Sequence, residues 1–148
     1  MSVFTGTGSH AVALRVLSVA MGIFLIFMGL GKIDWLWDGG ILIRQLQGWR
    51  GTARPLARWY LDTLAFPGAP VFARIVPLAE LSAGAALILG AKVRLAAVLA
   101  LLMVINFHVA ADVFFKYSYL SNGYGPPILG SLLALALGGT RLPWSVSR

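Results

Sequence analysis

Two long apolar runs, at residues 71–90 and 94–115, constrain the fold of this chain more than any other feature of its sequence. Each run is about long enough to cross a hydrocarbon core of about 30 Å, because a helix rises about 1.5 Å per residue. Only Ala91, Lys92 and Val93 separate the two runs. The sequence therefore predicts an antiparallel hairpin of two membrane-spanning helices.

The composition extends this prediction to the whole chain. The 148 residues are 59% hydrophobic and 11% charged, and the mean hydropathy is +0.83. A soluble domain carries about 25% charged residues. A water-soluble fold of this length could not bury so much apolar surface, so lipid is the solvent for much of the chain. We expect a single membrane domain that covers residues 1–148.

Several classes of chemistry are excluded by what the sequence lacks. There is no cysteine, so disulfides, thiol redox chemistry and cysteine-ligated metal are ruled out. Dinucleotide-binding, P-loop, zinc-protease and haem-attachment motifs are also missing. We expect no intrinsic cofactor and no metal site. The net charge of +7 does not indicate nucleic acid, because the Lys and Arg residues flank apolar runs, where they meet anionic lipid headgroups.

Two further apolar runs, at about 11–31 and 126–140, complete the predicted fold. The fold class is all-α, an integral membrane four-helix bundle with spans at about 11–31, 71–90, 94–115 and 126–140. The alternative for the first run is a secretory signal peptide, but the run is long and no clean cleavage site follows it. The lipid bilayer is accordingly a predicted partner.

The segment between the first two spans, at about 33–70, has a different character. Glycine and proline divide it into short pieces, and residues 41–49 and 55–65 each show the spacing of a short amphipathic helix. Its four Trp residues suit the headgroup region. We expect this interfacial segment to lie on the membrane or over one end of the bundle, and a soluble connecting loop is the alternative.

The distribution of basic residues bears on orientation. The side with both termini would carry Arg15, Lys92, Arg94, Arg141 and Arg148. The other side would carry Lys32, Arg44, Arg50, Arg54, Arg58, Arg74 and Lys116. The larger number of basic residues on the second side favours a cytoplasmic 33–70 segment, but the positive-inside rule applies best to short loops. The short Lys92–Arg94 turn favours both termini on the inside.

Three polar residues of the hairpin fall at similar depths. Glu80 lies twelve residues before Lys92, so the residue level with it on the next helix is near position 104. Asn106 and His108 are then about 3 Å and 6 Å further along the axis. Asn106 and His108 lie on different faces, because they are two residues apart. The alternatives are an interhelical hydrogen bond for Asn106 and simple packing for His108.

Other charged residues belong to the same half of the bundle. Lys32 ends the first span, Arg74 opens the second, and Asp112 follows His108 by four residues and so shares its face. This asymmetry predicts a polar cavity that opens under the 33–70 segment. The structural alternatives are pairing of Glu80 with Lys32 or Arg74, and of Asp112 with His108 or Lys116.

Small residues and proline shape the second span. Gly84 and Gly90, with Ala83 and Ala86, form a face suited to close contact with another helix. Pro77 is expected to kink this span near Glu80.

These features together resemble the DoxX family of small membrane proteins, which have four predicted spans. The resemblance covers about residues 11–115. It rests on Arg15, on Gly29, Gly31 and Lys32 in FMGLGKI, and on Glu80, Gly84, Gly90 and Arg94 in the segment from Pro77 to Val104. It implies the four-helix fold and an association with thiosulfate:quinone oxidoreductase or other membrane redox complexes. Because this chain has no cysteine for sulfur transfer, it would need a partner or direct quinone chemistry.

The sequence thus leads to a specific functional hypothesis. We expect a DoxX-like subunit of a quinone-linked redox complex in the bacterial inner membrane, with other membrane subunits or further copies of itself as partners. Glu80 and His108 are the candidate catalytic residues. A quinone or polar pocket would be formed by Lys32, Arg74, Asn106 and Asp112. The alternatives are a non-catalytic structural or assembly subunit and, less favoured for want of a repeat, a small transporter.

Overall fold

The computed structural model describes residues 6–114 and 116–146, and every regular element within those ranges is helical. The prediction of an all-α chain is therefore confirmed. The helices in chain order are α1 (Gly6–Leu30), a 3₁₀ turn (Ile33–Leu36), α2 (Gly40–Thr52), α3 (Pro55–Leu89), α4 (Val93–Ala110), α5 (Tyr117–Leu120) and α6 (Pro126–Gly138).

Three of these helices are long and apolar enough to cross a membrane. The qualifying stretches are Gly8–Leu30, Pro55–Leu89 and Val93–Ala110. The fourth apolar helix, Pro126–Gly138, has 13 residues and is shorter. By length and composition the chain is an integral membrane protein, as the sequence indicates.

Helix α3 differs from its prediction, because it is continuous from Pro55 to Leu89. The expected separate helix at 55–65 is wrong. A π-helical turn at Leu61–Ala65 lies just before Pro67, and the N–H of Phe66 donates to the carbonyl of Leu61. Local widening of this kind lets a membrane helix pass through a proline without ending. Between α1 and α3 the separate helical elements of the described chain are therefore α2 and the 3₁₀ turn before it.

The hairpin of α3 and α4 otherwise follows the sequence. Gly90 ends α3 in the left-handed conformation, with φ of 73°, which glycine adopts without strain. Helix α4 begins at Val93 and ends at Ala110, earlier than the predicted residue 115, because Asp112 takes a positive φ of 51°. Residue Phe115, the predicted end of the span, lies outside the described residues.

Four helices pack around a common apolar core. Helix α1 packs chiefly against α3, and α4 packs chiefly against α6, while α3–α4 and α1–α6 contacts complete the ring. Leucines from each helix pair fill the centre, including Leu25, Leu87, Leu132 and Leu135. A second apolar cluster lies where α2 covers α3 and α4, around Trp35. We call this half of the molecule the α2 end and the opposite half, around Gly90–Lys92, the turn end.

The contact between α1 and α3 depends on two glycines. A Cβ added to Gly22 would lie 2.7 Å from the Gly84 carbonyl, and one added to Gly84 would lie 2.8 Å from the Gly22 carbonyl. The predicted close helix contact at Gly84 is confirmed. Gly90 serves a different purpose, since it ends the helix.

Arg15 is buried rather than placed among headgroups, in contrast to its predicted role as a flanking cation. It is 6% exposed and donates to the carbonyls of Leu87 at 2.8 Å, Ile88 at 2.5 Å and Trp144 at 3.2 Å. Ser18 donates to the same Leu87 carbonyl at 2.7 Å. These bonds satisfy carbonyls at the end of α3, which have no partner within the helix.

Candidate functional site

A cavity of about 270 Å³ lies beneath α2, on the side predicted from the polar residues. Helices α1, α2, α3 and α4 and the segment 119–128 form its walls. Most of its lining is apolar or aromatic: Phe24, Leu25, Met28, Trp49, Val104, Phe107, Ala111, Val113, Tyr119, Tyr124 and Ile128. Its polar side chains are Lys32, Gln45, Glu80, His108 and Asn122. An apolar cavity with a few convergent polar groups is typical of small-molecule sites.

A buried ion pair forms one part of the wall. The Lys32 ammonium group donates to both carboxylate oxygens of Glu80, at 2.8 and 2.9 Å, and to the Met28 carbonyl at 3.1 Å. The side chains of Lys32 and Glu80 are only 12% and 5% exposed. The ammonium nitrogen also lies 5.4 Å from the centre of the Phe107 ring, within cation–π range. All three ammonium protons are thus engaged, and Glu80 is paired with Lys32, one of its two predicted partners.

His108 forms another part of the wall, together with an aromatic cluster. Its Nδ1 lies 3.3 Å from the Tyr119 hydroxyl. Its ring packs edge-on against Tyr119 and Phe114, with centroid distances of 5.0 and 5.7 Å. Burial raises the pKa of the Tyr119 hydroxyl, so this group stays protonated near neutral pH. When it donates to Nδ1, the Nε2 atom of His108 carries the ring proton and is a donor.

Three of the residues predicted for the pocket lie elsewhere. Arg74 is exposed and donates to the Pro70 carbonyl at 2.8 Å. Asn106 accepts a short hydrogen bond from the Tyr60 hydroxyl, on the side of α4 that faces α3. Asp112 pairs with Arg54, at 2.7 Å from Nη2. Helical rotation explains these differences, because depth along an axis does not fix the direction of a side chain.

The Asp112 pair joins the end of α4 to the start of α3. The carboxylate accepts bonds from the backbone N–H, Nε and Nη2 of Arg54, at 2.7 to 3.0 Å. The hydrogen bonds from Arg54, with its charge, lower the pKa of Asp112. The sequence had suggested His108 or Lys116 as the partner of Asp112, but neither of them forms a hydrogen bond with it in the described structure. Asp112 therefore holds two helices together rather than lining the cavity.

One protein family has a sequence model that covers most of this chain. The DoxX family model matches residues 12–113. The chain belongs to the DoxX family. The resemblance inferred from the sequence is thereby confirmed. No curated protein and no solved structure matches the chain.

The residues that line the cavity of this DoxX-family protein fall into two groups, one inside the range matched by the family model and one beyond its end. Lys32, Glu80 and His108 lie inside the matched range. Tyr119, Asn122 and Tyr124, which close the cavity on the α6 side, lie beyond its end. The family range therefore supplies the ion pair and the imidazole, and the following segment supplies a wall of aromatic and amide side chains.

Sequence reasoning missed several lining residues. Gln45 and Trp49 project from α2, and Tyr119, Asn122 and Tyr124 come from the loop after α4. One signal was available, because the stretch from Tyr117 to Pro127 combines aromatic residues with turn residues. Nothing in the sequence alone shows that this loop folds back over His108.

Proposed function

We propose that this DoxX-family chain is an integral membrane subunit that binds the headgroup of a quinone for a redox complex of the bacterial inner membrane. In this proposal α1, α3, α4 and α6 cross the membrane as a four-helix bundle, and α2 lies at the interface over the cavity. The observation that carries the proposal is an aromatic cavity that holds both an acid–base pair and an imidazole donor.

The cavity suits a flat, uncharged ring with carbonyl oxygens. Its volume of about 270 Å³ is near the lower end of small-ligand pockets, which begin at about 300 Å³. A single ring would be surrounded by Trp49, Phe107 and Tyr124, while an attached hydrocarbon tail would extend into lipid. Aromatic side chains favour such stacking and edge contacts.

The polar groups would then have distinct tasks. Nε2 of His108 would donate a hydrogen bond to one quinone oxygen, with Tyr119 fixing the orientation and the tautomer of the ring. Reduction of a quinone to a quinol takes up two electrons and two protons. The electrons would come from a redox partner in the complex, and Glu80 and His108 would transfer the protons. Lys32 would hold Glu80 at the edge of the cavity.

One observation favours a second candidate, a non-catalytic structural or assembly subunit. Both oxygens of Glu80 are already bonded to Lys32, and the Lys32 ammonium group has its full set of three acceptors. In this alternative the pair would serve to fix α1 against α3. In this case the exposed Trp37, Leu56 and Trp59 near the α2 end would form the docking surface for a larger complex.

The experiment that tests the proposal is a quinone titration. The purified protein is reconstituted in nanodiscs, and a short-chain benzoquinone is added while the tryptophan fluorescence is followed, since Trp49 lines the cavity. We expect saturable quenching. His108→Leu should weaken binding about fivefold, because one hydrogen bond of about 1 kcal/mol is lost. Asn106→Leu, on the same helix but outside the cavity, should leave the affinity unchanged.

A paired substitution separates the two candidates. Lys32→Met with Glu80→Gln removes both charges together, which avoids the large penalty of leaving one buried charge unpaired. Weaker quinone binding by this variant would support a working role for the pair. Unchanged binding would reduce the pair to a structural role. Equal, non-saturable quenching in every variant would refute the quinone site altogether.

A further inference from the structure

A second concavity lies at the turn end of the molecule, and the proposed function does not use it. It has a volume of about 530 Å³ and lies between the start of α4 and the segment 139–145. We call it the turn-end groove. Basic and hydroxyl side chains line it: Lys92, Arg94, Thr140, Arg141 and Ser145.

The charged side chains that line the turn-end groove are all basic. Arg94 is anchored by a hydrogen bond of 2.9 Å from Nε to the Ala136 carbonyl, and its two Nη atoms have no partner within the described residues. Arg141 is exposed and makes no hydrogen bond or ion pair in the described part of the chain. None of the five acidic side chains of the sequence, Asp34, Asp38, Asp62, Glu80 and Asp112, lines the groove.

An apolar stripe continues from the groove along α4. Leu95 lines the groove itself, and Leu99 and Leu102 follow on the same face at helical spacing. These side chains are 53%, 56% and 58% exposed. A ligand that fits both features has an anionic phosphate at one end and a hydrocarbon chain at the other.

We propose that the turn-end groove binds one anionic glycerophospholipid. Its phosphodiester lies between Arg94 and Arg141, Thr140 and Ser145 donate hydroxyl hydrogen bonds to its headgroup, and one acyl chain follows Leu95, Leu99 and Leu102. Arginine suits this role, since its guanidinium group binds two phosphate oxygens at once. A free phosphate would use the cations but leave the leucine stripe without a role.

The test is lipid competition followed by native mass spectrometry. The full chain is exchanged into detergent with equal amounts of phosphatidylglycerol and phosphatidylcholine of the same chain length. We expect one phosphatidylglycerol to be retained in preference. The Arg94→Gln and Arg141→Gln double variant should lower the ratio of anionic to zwitterionic lipid roughly tenfold to thirtyfold, as expected for two cations near a lipid phosphate.

The matched control removes the same net charge from the α2 end. Arg44→Gln with Arg74→Gln changes two exposed arginines and should leave the lipid ratio as in the wild type. Equal loss in both double variants would show that only net charge matters and would overturn the discrete site. No lipid preference in the wild type would overturn it as well.

Two further measurements keep the result unambiguous. Arg141→Gln alone removes an exposed side chain that makes no bond in the described structure, so it tests the site even if the double variant fails to fold. Glycerol 3-phosphate is added as a competitor that lacks acyl chains. Displacement of the lipid at equal concentration would mean that phosphate alone is recognised, which contradicts the lipid assignment. Quinone titration is independent of all these readouts.

Discussion

The ion pairs of this chain differ chiefly in how far their side chains are exposed to solvent. Four of the five acids form ion pairs, and two of those pairs, Asp38 with Arg44 and Asp62 with Arg50, are exposed. Exposed pairs contribute about 0–1 kcal/mol each. The Lys32–Glu80 pair is buried, so loss of one partner would leave a buried charge at a cost of about 3–5 kcal/mol. This contrast explains why only that pair is a candidate for both function and stability.

The Asp112–Arg54 pair makes a prediction about pH. Because Arg54 lowers the pKa of folded Asp112, the unfolded chain binds a proton at higher pH than the folded one. The stabilisation is therefore complete above the unfolded pKa of about 3.9 and is lost as the pH falls through the lower, folded pKa. Asp112→Asn should lower the thermal unfolding midpoint by a few degrees at pH 7 and flatten the decline that begins as the pH falls below about 4.

Thermal unfolding of detergent-solubilised protein, followed by tryptophan fluorescence, measures this effect. Asp38→Asn is the matched control, since its partner Arg44 and the Asp38 side chain are both more than half exposed. The control should hardly move the midpoint. An Asp112→Asn variant that keeps the wild-type decline in acid would show that the pair contributes nothing to the pH dependence.

Helices α1 and α3 are held together by backbone proximity rather than by large side chains. Gly22 and Gly84 let the two helices approach so closely that no Cβ fits at either position. Close approach favours van der Waals packing, which drives helix association where lipid replaces water. The Lys32–Glu80 pair joins the same two helices, so this contact also sets one wall of the cavity.

Gly84→Ala should therefore destabilise the protein by about 1–3 kcal/mol, the usual cost of forcing extra volume into a packed contact. Gly130→Ala on α6 is the control, because a Cβ there meets nothing within 4 Å. That control should be neutral or stabilising by about 0.5–1 kcal/mol, since alanine favours helix over glycine. Unfolding in mixed micelles gives both values, and equal stability of the two variants would contradict the contact.

The long helix α3 shows why the sequence predicted a helix break that the structure does not have. Gly68, Pro67 and Pro70 indicate a break between residues 65 and 71, yet the helix passes through them. A π-helical turn absorbs the missing N–H of Pro67. Propensity scales assume the α-helical pattern of hydrogen bonds, so they place the break where the structure only changes that pattern.

The molecule as a whole is asymmetric in charge. The five acidic side chains lie at the α2 end or in the cavity, whereas Arg15, Arg94 and Arg141 lie at the turn end. Short loops with an excess of Lys and Arg favour the cytoplasmic side of a membrane. We therefore predict that the turn end faces the cytoplasm and that α2 faces the opposite side.

Cysteine labelling tests this orientation without interference, because the chain contains no cysteine. Ala91→Cys marks the turn end and Thr52→Cys marks the end of α2. With a membrane-impermeant maleimide on spheroplasts, Thr52→Cys should react at once and Ala91→Cys only after the membrane is permeabilised. The reverse pattern would place α2 in the cytoplasm, as the total count of basic residues suggests.

The sequence by itself determined the solvent, the order of the long apolar helices and the half of the molecule that holds the cavity. Apolar run lengths, glycine turns and depth along the hairpin are local properties, and they sufficed to bring Glu80, His108 and Lys32 to one end. Only the tertiary structure decided the partners: Lys32 for Glu80, Arg54 for Asp112, Tyr60 for Asn106 and the α3 carbonyls for Arg15. The reason is that a helix fixes axial position from sequence alone, whereas its rotation and its neighbours are set by packing between distant segments.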